Sequence, residues 1–292
     1  MTGSAGRGQP AREFILTLHC PDRPGILAAV TGVLAEQGGD VRDAQSFADD
    51  STDEFFVRMH LLLPSDEAAA AFGDGIGELA VRLGIGWELH DCAVPPRIMI
   101  MVSKFDHCLR DLLHRRETGA LKAEIPLVVS NHEDARSLAE WHGVRYVHMP
   151  VSPENRAEQE AGVLGLVGEH RIDLVVLARY MQILSGELVG ALRGRCINIH
   201  HSFLPSFKGA MPYRQAHERG VKLIGATAHY VTENLDEGPI IEQDVRRVTH
   251  ATTEAEMTGI GRETEASVLA RAVRWHVEHR ILLNGAKTVV FA

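Results

Sequence analysis

A chain of 292 residues, 45% hydrophobic and 24% charged, has the composition of a globular protein with one large or two ordinary domains, which excludes global disorder. Acidic residues number 39 against 30 basic ones, which leaves no basic footprint for a nucleic-acid backbone and points to small molecules and protein as partners. Cys20, Cys92, Cys108 and Cys196 are scattered, and no apolar run approaches the roughly 20 residues that span a bilayer, so neither disulfides, a zinc knuckle, a signal peptide nor a membrane partner is expected, and the thiols suit the cytoplasm.

In chain order, residues 1–12 are rich in Gly, Ser and Arg and read as a flexible tail. Phe14, Leu16 and Leu18 alternate with Ile15, Thr17 and His19 as in a strand, and Ile26 to Gln37 carries the helical spacing Ile26, Leu27, Val30, Val33, Leu34. Val41 to Ala48 and Phe55 to Leu63 follow as strands, Asp66 to Leu83 as a helix, and Gly86 to Ala93 as a fourth strand. The order βαββαβ is that of a ferredoxin-like unit. Gly73, Gly75 and Gly77 fall in or beside the second helix with no strand before them, so they are no dinucleotide fingerprint. The loop Asp22-Arg23-Pro24-Gly25-Ile26 and the helix after it resemble the start of an ACT domain. The resemblance covers residues 13–93 and implies a regulatory or oligomerisation module, a homodimer or homotetramer, and an amino-acid effector at that loop. The plainer reading is that Pro24 and Gly25 merely begin a helix, with Gly25 permitting close backbone packing.

Val94-Pro95-Pro96-Arg97 is a stiff, extended linker and the best domain boundary. From residue 98 to 292 strands alternate with helices, the pattern of a mostly parallel, Rossmann-like α/β sheet. Runs such as Leu174-Val175-Val176-Leu177 suit strands buried on both faces. Arg179, Tyr180, Met181, Gln182, Ile183 and Leu184 follow that strand, where ligands of open α/β sheets sit; the alternative is an ordinary strand-to-helix connection with Met181, Ile183 and Leu184 as core.

The stretch Cys196 to Asp244 carries the chemistry. In the strand Cys196-Ile197-Asn198-Ile199-His200, Asn198 and His200 share one face, expected to be exposed, while Ile197 and Ile199 enter the core. His201 faces the other way if the strand continues. After Pro205 a Gly-containing loop and a helix-like run lead to the strand Leu223 to Val231, and Asp236-Glu237-Gly238-Pro239 has the composition of a tight turn with Asp236 first. An amide, an imidazole and a carboxylate meet the needs of attack on a carbonyl. Thr227 and His229 are candidates for a supporting role, and Glu237 is the rival carboxylate. A zinc centre from His200, His229 and Asp236 lacks the close ligand pairing of such sites, so no metal is expected.

Asn198-Ile199-His200, the run Ser202-Phe203-Leu204-Pro205-Ser206 and Asp236 in Leu-Asp-Glu-Gly-Pro-Ile-Ile resemble the signature of the formyltetrahydrofolate-dependent formyltransferase fold. With His201 directly after His200 and the wording downstream, the stretch is most similar to the formyltetrahydrofolate deformylases. The resemblance implies hydrolysis of 10-formyltetrahydrofolate to formate and tetrahydrofolate with no cofactor, which supplies formate for purine synthesis and balances the one-carbon pool. It implies Asn198 as oxyanion donor, His200 as proton relay and Asp236 as base, with Arg179 to Leu184 and Val231, Thr232, Glu233, Asn234 and Leu235 walling the folate pocket. Glycine or methionine, which report on that pool, become the expected effectors. The alternative is a formyltransferase with an amine acceptor such as glycinamide ribonucleotide, and a third reading is an amino-acid sensor with an inactive second half. In the transformylases, the loop at Ser103 to Leu109 is Gly and Ser rich and holds a phosphate; here Phe105 would crowd and Asp106 repel it, although Lys104 offers a cation.

Overall fold

The computed structural model describes residues 11–204 and 212–292. The tail assigned to residues 1–12 lies outside them up to residue 10, and the loop assigned after Pro205 lies outside them up to Met211. The chain divides into two compact units: one holds the residues up to Val94 with His279–Asn284 and Val289–Ala292, the other Pro95–Glu278 with Gly285–Thr288.

The first unit runs β1 (Arg12–Pro21), α1 (Ile26–Glu36), β2 (Asp40–Asp49), β3 (Glu54–Leu63), α2 (Asp66–Leu83) and β4 (Gly86–Asp91). This is the ferredoxin-like order anticipated, closed as an antiparallel sheet β2-β3-β1-β4. Arg12 already pairs with Leu63, so the strand begins inside the stretch assigned to the tail. Leu16, Leu18, Met59 and Leu61 from the sheet pack against Ile26, Val30, Phe72 and Ile76 from the helices. Gly75 lets the two helices approach, since a Cβ there would lie 2.7 Å from Val33 Cγ1. Ser65 caps α2, its hydroxyl accepting the Ala68 N–H, and Gly84 ends it in the left-handed region.

The second unit continues with β5 (Arg97–Val102), α3 (His107–Glu117), β6 (Glu124–Ser130), α4 (Arg136–Trp141), β7 (Arg145–His148), α5 (Arg156–Glu169), β8 (Leu174–Leu177), α6 (Gly186–Ala191), β9 (Cys196–His200), α7 (Pro212–Glu218), β10 (Leu223–Tyr230), β11 (Ile240–Arg247) and α8 (Glu254–Val277). Its seven-stranded sheet has the order β11-β10-β9-β8-β5-β6-β7. Strands β5 to β9 are parallel, and β10 and β11 run antiparallel at one edge. The order reverses between β5 and β8, the switch point at which such sheets bind ligands beyond the carboxyl ends of their strands.

The last strands, β12 (Ile281–Asn284) and β13 (Lys287–Val290), form a separate two-stranded sheet. The boundary that gave all of residues 98–292 to the second domain is corrected here: Leu282 and Phe291 pack with Phe56, and Asn284 donates to Asp49, so most of this terminal segment belongs to the first unit. Apolar burial, which carries no chain-order signal, decides this.

Candidate active site

Strand β9 lies between β8 and β10, so its residues are covered on both sides. Its pairing with β10 sets Asn198 opposite His229 and His200 opposite Thr227, which gathers four polar side chains on one face. That face is less exposed than expected: His200 is 5% exposed and His229 2%, while Asn198 is half-buried.

His229 Nδ1 lies 2.9 Å from the Tyr230 carbonyl oxygen. A carbonyl only accepts, so this nitrogen carries a proton, and Nε2 accepts the Asn198 amide N–H at 3.3 Å. Among the described residues the other amide hydrogen of Asn198 has no acceptor. Thr227, fully buried, instead holds the chain leaving β9: its hydroxyl donates to the Ser202 carbonyl and accepts the Leu204 N–H.

Asp236 approaches from the loop after β10. The turn spans Asn234 to Glu237, closed by the Glu237 N–H to the Asn234 carbonyl, so Asp236 holds its third position rather than the first. Its φ of 58° is left-handed, a conformation that Asp tolerates better than most residues. The carboxylate reaches His200 Nδ1 at 3.2 Å and His229 Nε2 at 3.7 Å. The hydrogen bond with His200, with the His229 ring beside it, outweighs burial and holds its pKa well below the usual carboxylate range. Glu237, the rival, is exposed. His200 Nε2 is buried with no hydrogen-bond partner among the described residues, which leaves it open to a substrate.

Strand β9 ends at His200, so His201 does not alternate to the opposite face. Its ring stacks on that of His200 at 5.0 Å between centroids. Burial, with Arg179 and His200 nearby, pushes its pKa down to about 4, so the ring is neutral near pH 7.

The segment after β8 is tied to β5: Ser103 N–H donates to the Arg179 carbonyl, and the Ser103 hydroxyl accepts the Met181 N–H. Met181 and Ile183 are 54% and 61% exposed, so they are not core, while Tyr180 is buried with its hydroxyl on Gln159 and Leu184 packs inward. Gln182 is half-buried. Val231 also packs inward, Thr232 is half-buried, and Glu233, Asn234 and Leu235 are exposed. Arg179 turns away from solvent, its Nε 3.3 Å from Glu265 and its guanidinium over the Phe105 ring.

Glu265 was not singled out in the sequence. It is 1% exposed on α8 and receives His107 Nε2 at 2.9 Å and the Tyr213 hydroxyl at 2.5 Å. Burial raises its pKa, but His107, Arg179 and Tyr213 together outweigh this and the net shift is downward. Its signal was an acid three residues before Val268, within the buried stripe of a helix. In the first unit, Arg23 donates to the Leu83 carbonyl and Asp22 N–H to the Asp53 carbonyl. A Cβ at Gly25 would meet nothing within 4 Å, so its φ of +92° explains this glycine and close packing does not. Pro24 is exposed and Ile26 opens α1 in the core.

The chain matches the formyl transferase family model over residues 96–273 and the ACT domain model over residues 14–70. It is 46% identical to a formyltetrahydrofolate deformylase of Corynebacterium sp. (strain P-1), over 95% of this chain and 98% of that protein. The crystal structure of formyltetrahydrofolate deformylase from Burkholderia mallei superimposes with a TM-score of 0.92 at 48% identity, over 96% of this chain and all of that one. Glycinamide ribonucleotide transformylase 1 from Symbiobacterium toebii gives 0.64 at 31% identity and covers only 70% of this chain.

Proposed function

The chain belongs to the formyltetrahydrofolate deformylases, and from that premise we propose how its site hydrolyses 10-formyltetrahydrofolate to formate and tetrahydrofolate. The observation that carries the reading is the convergence of Asn198, His200 and Asp236 with His200 Nε2 left open. The other amide hydrogen of Asn198 donates to the formyl oxygen as charge develops there. Asp236 orients the attacking water and takes its proton as the C–O bond forms. His200, entering the step with protons on both ring nitrogens, delivers the one on Nε2 to N10 as the C–N10 bond breaks while its Nδ1–H stays on Asp236; solvent then restores the Nε2 proton and takes from Asp236 the proton that came from water. Each group ends as it began. The steps use protein groups alone, without metal or cofactor. Exposed Met181, Ile183 and Leu235 offer apolar surface for the folate ring system beside the site.

The transferase alternative fits less well. The deformylase relatives align along nearly the whole chain in both directions, whereas the transformylase neighbour leaves out almost a third of it. We also propose that the ACT unit binds glycine or methionine at Asp22 to Ile26 and pairs chains into a homodimer or homotetramer. Among the described residues no helix is long and apolar enough to cross a membrane, and a cytoplasmic setting, where the folate pool lies, suits the reaction and its contribution of formate to purine synthesis. The test is to follow formate and tetrahydrofolate together in chelator-treated buffer, with and without glycinamide ribonucleotide. Equal release of both without the amine is expected; turnover that waits for the amine would make the chain a transferase.

A further inference from the structure

This inference rests on the deformylase reading and concerns why water, rather than an amine, takes the formyl group. The strand order reverses between β5 and β8, and Ser103 and Arg179 lie at the carboxyl ends of those two strands, joined by a 3.2 Å backbone hydrogen bond. Arg179 thus stands at the switch point, yet the chemistry of Asn198, His200 and Asp236 does not use it. Its side chain is 10% exposed, its φ of 65° is left-handed, and Nε and one terminal nitrogen are buried without a hydrogen-bond partner among the described residues. A guanidinium stays charged at any working pH and is costly to bury. Glu265 offsets it, but that carboxylate is shared with His107 and the Tyr213 hydroxyl. Gly261 admits Tyr213 to this position, since a Cβ there would lie 2.1 Å from the phenol ring. His201, which stacks on His200, lies within electrostatic reach of Arg179, so the guanidinium acts close to the reacting end of the site.

We propose that Arg179 determines acceptor specificity by holding a fixed positive charge beside the formyl group, which keeps amines from acting as acceptors and leaves water. Attack by water forms a C–O bond, breaks the C–N10 bond, sends one proton to N10 and releases the other with formate. Attack by a primary amine forms a C–N bond and breaks the same C–N10 bond. The amine nitrogen is positively charged until it loses a proton, while N10 gains one. A buried cation nearby raises the energy of that ammonium-like state far more than that of a water whose proton passes to Asp236.

The experiment supplies the full chain with 10-formyltetrahydrofolate and glycinamide as the probe amine, and reads the ratio of N-formylglycinamide to formate. That ratio does not depend on how much enzyme is folded, so a purely structural role would leave it unmoved. Arg179→Gln is expected to raise it about tenfold, a preference of about 1.4 kcal/mol, and Arg179→Lys to keep the wild-type value. Because Arg179→Gln strands the charge of Glu265, the double variant Arg179→Gln with Glu265→Gln removes both and is expected to show the same rise. An unchanged ratio in both variants overturns the proposal, as does a wild type that already formylates glycinamide as readily as they do. A wild type that releases no formate would instead sink the deformylase reading.

Discussion

Asp236 combines a left-handed backbone, a carboxylate 14% exposed and two imidazole neighbours. Of the five non-glycine residues with positive φ among those described, Asp236 and Arg179 both border this site, and such strain persists only where the surroundings enforce it. Asp236→Asn keeps the shape and removes the charge. Its kcat is expected to fall by about 10²- to 10⁴-fold with KM little changed, and near-normal turnover would remove Asp236 from the chemistry. His201 gives a stability prediction. Its folded pKa of about 4 lies below the roughly 6.5 of an unfolded chain, so between these values the unfolded state binds the proton more readily. Stability therefore falls as pH drops from about 6.5 to about 4. Urea unfolding at pH 7.5 and pH 5 should show the wild type losing ground to His201→Asn, and equal losses would mean that the ring is not held neutral.

At the scale of elements, the site depends on how β10 meets its neighbours. The bulge in its pairing with β11, between Ala228 and His229, falls where the strand passes from Thr227, which anchors the chain after β9, to His229, which orients Asn198. Beyond the strand the chain must fold back at once, and Gly238 permits it. A Cβ there would lie 1.7 Å from the Tyr230 carbonyl oxygen, and backbone cannot swing aside as a side chain does. Gly238→Ala is expected to displace the Asp236 turn, with a loss of about 100-fold in kcat, the scale of a misplacement near 1 Å. Activity that survives this change would show that the turn adjusts without moving the carboxylate. The Leu-Asp-Glu-Gly-Pro wording marked a turn, but composition placed Asp236 at its first position. The hydrogen bond between Glu237 and Asn234 moves it to the third, a difference of backbone angles that residue types alone leave open.

Across the whole molecule, an ACT unit and a formyl transferase unit occupy one chain. If the ACT loop binds an effector, glycine or methionine should raise the melting temperature and alter turnover, and Arg23→Ala, which removes the hydrogen bond to the Leu83 carbonyl, should abolish both responses. No shift with either amino acid would leave the unit a purely structural module. Legible in the sequence were the two-unit plan and the order of strands and helices through β9, and Asn198, His200 and Asp236 stood out there as candidates. Hydrophobic periods of two and 3.6 are local, and the motif occupies one contiguous stretch. Folding alone buries His200 while leaving Asn198 half-buried on the same face, since burial depends on strands contributed from far along the chain. Only folding brings Glu265, Tyr213 and His107 to Arg179, across separations that no local pattern spans, and only the packing of Leu282 and Phe291 on Phe56 assigns the terminal strands to the first unit. Polar clusters and terminal straps are settled by which distant surfaces need covering, a property of the folded whole.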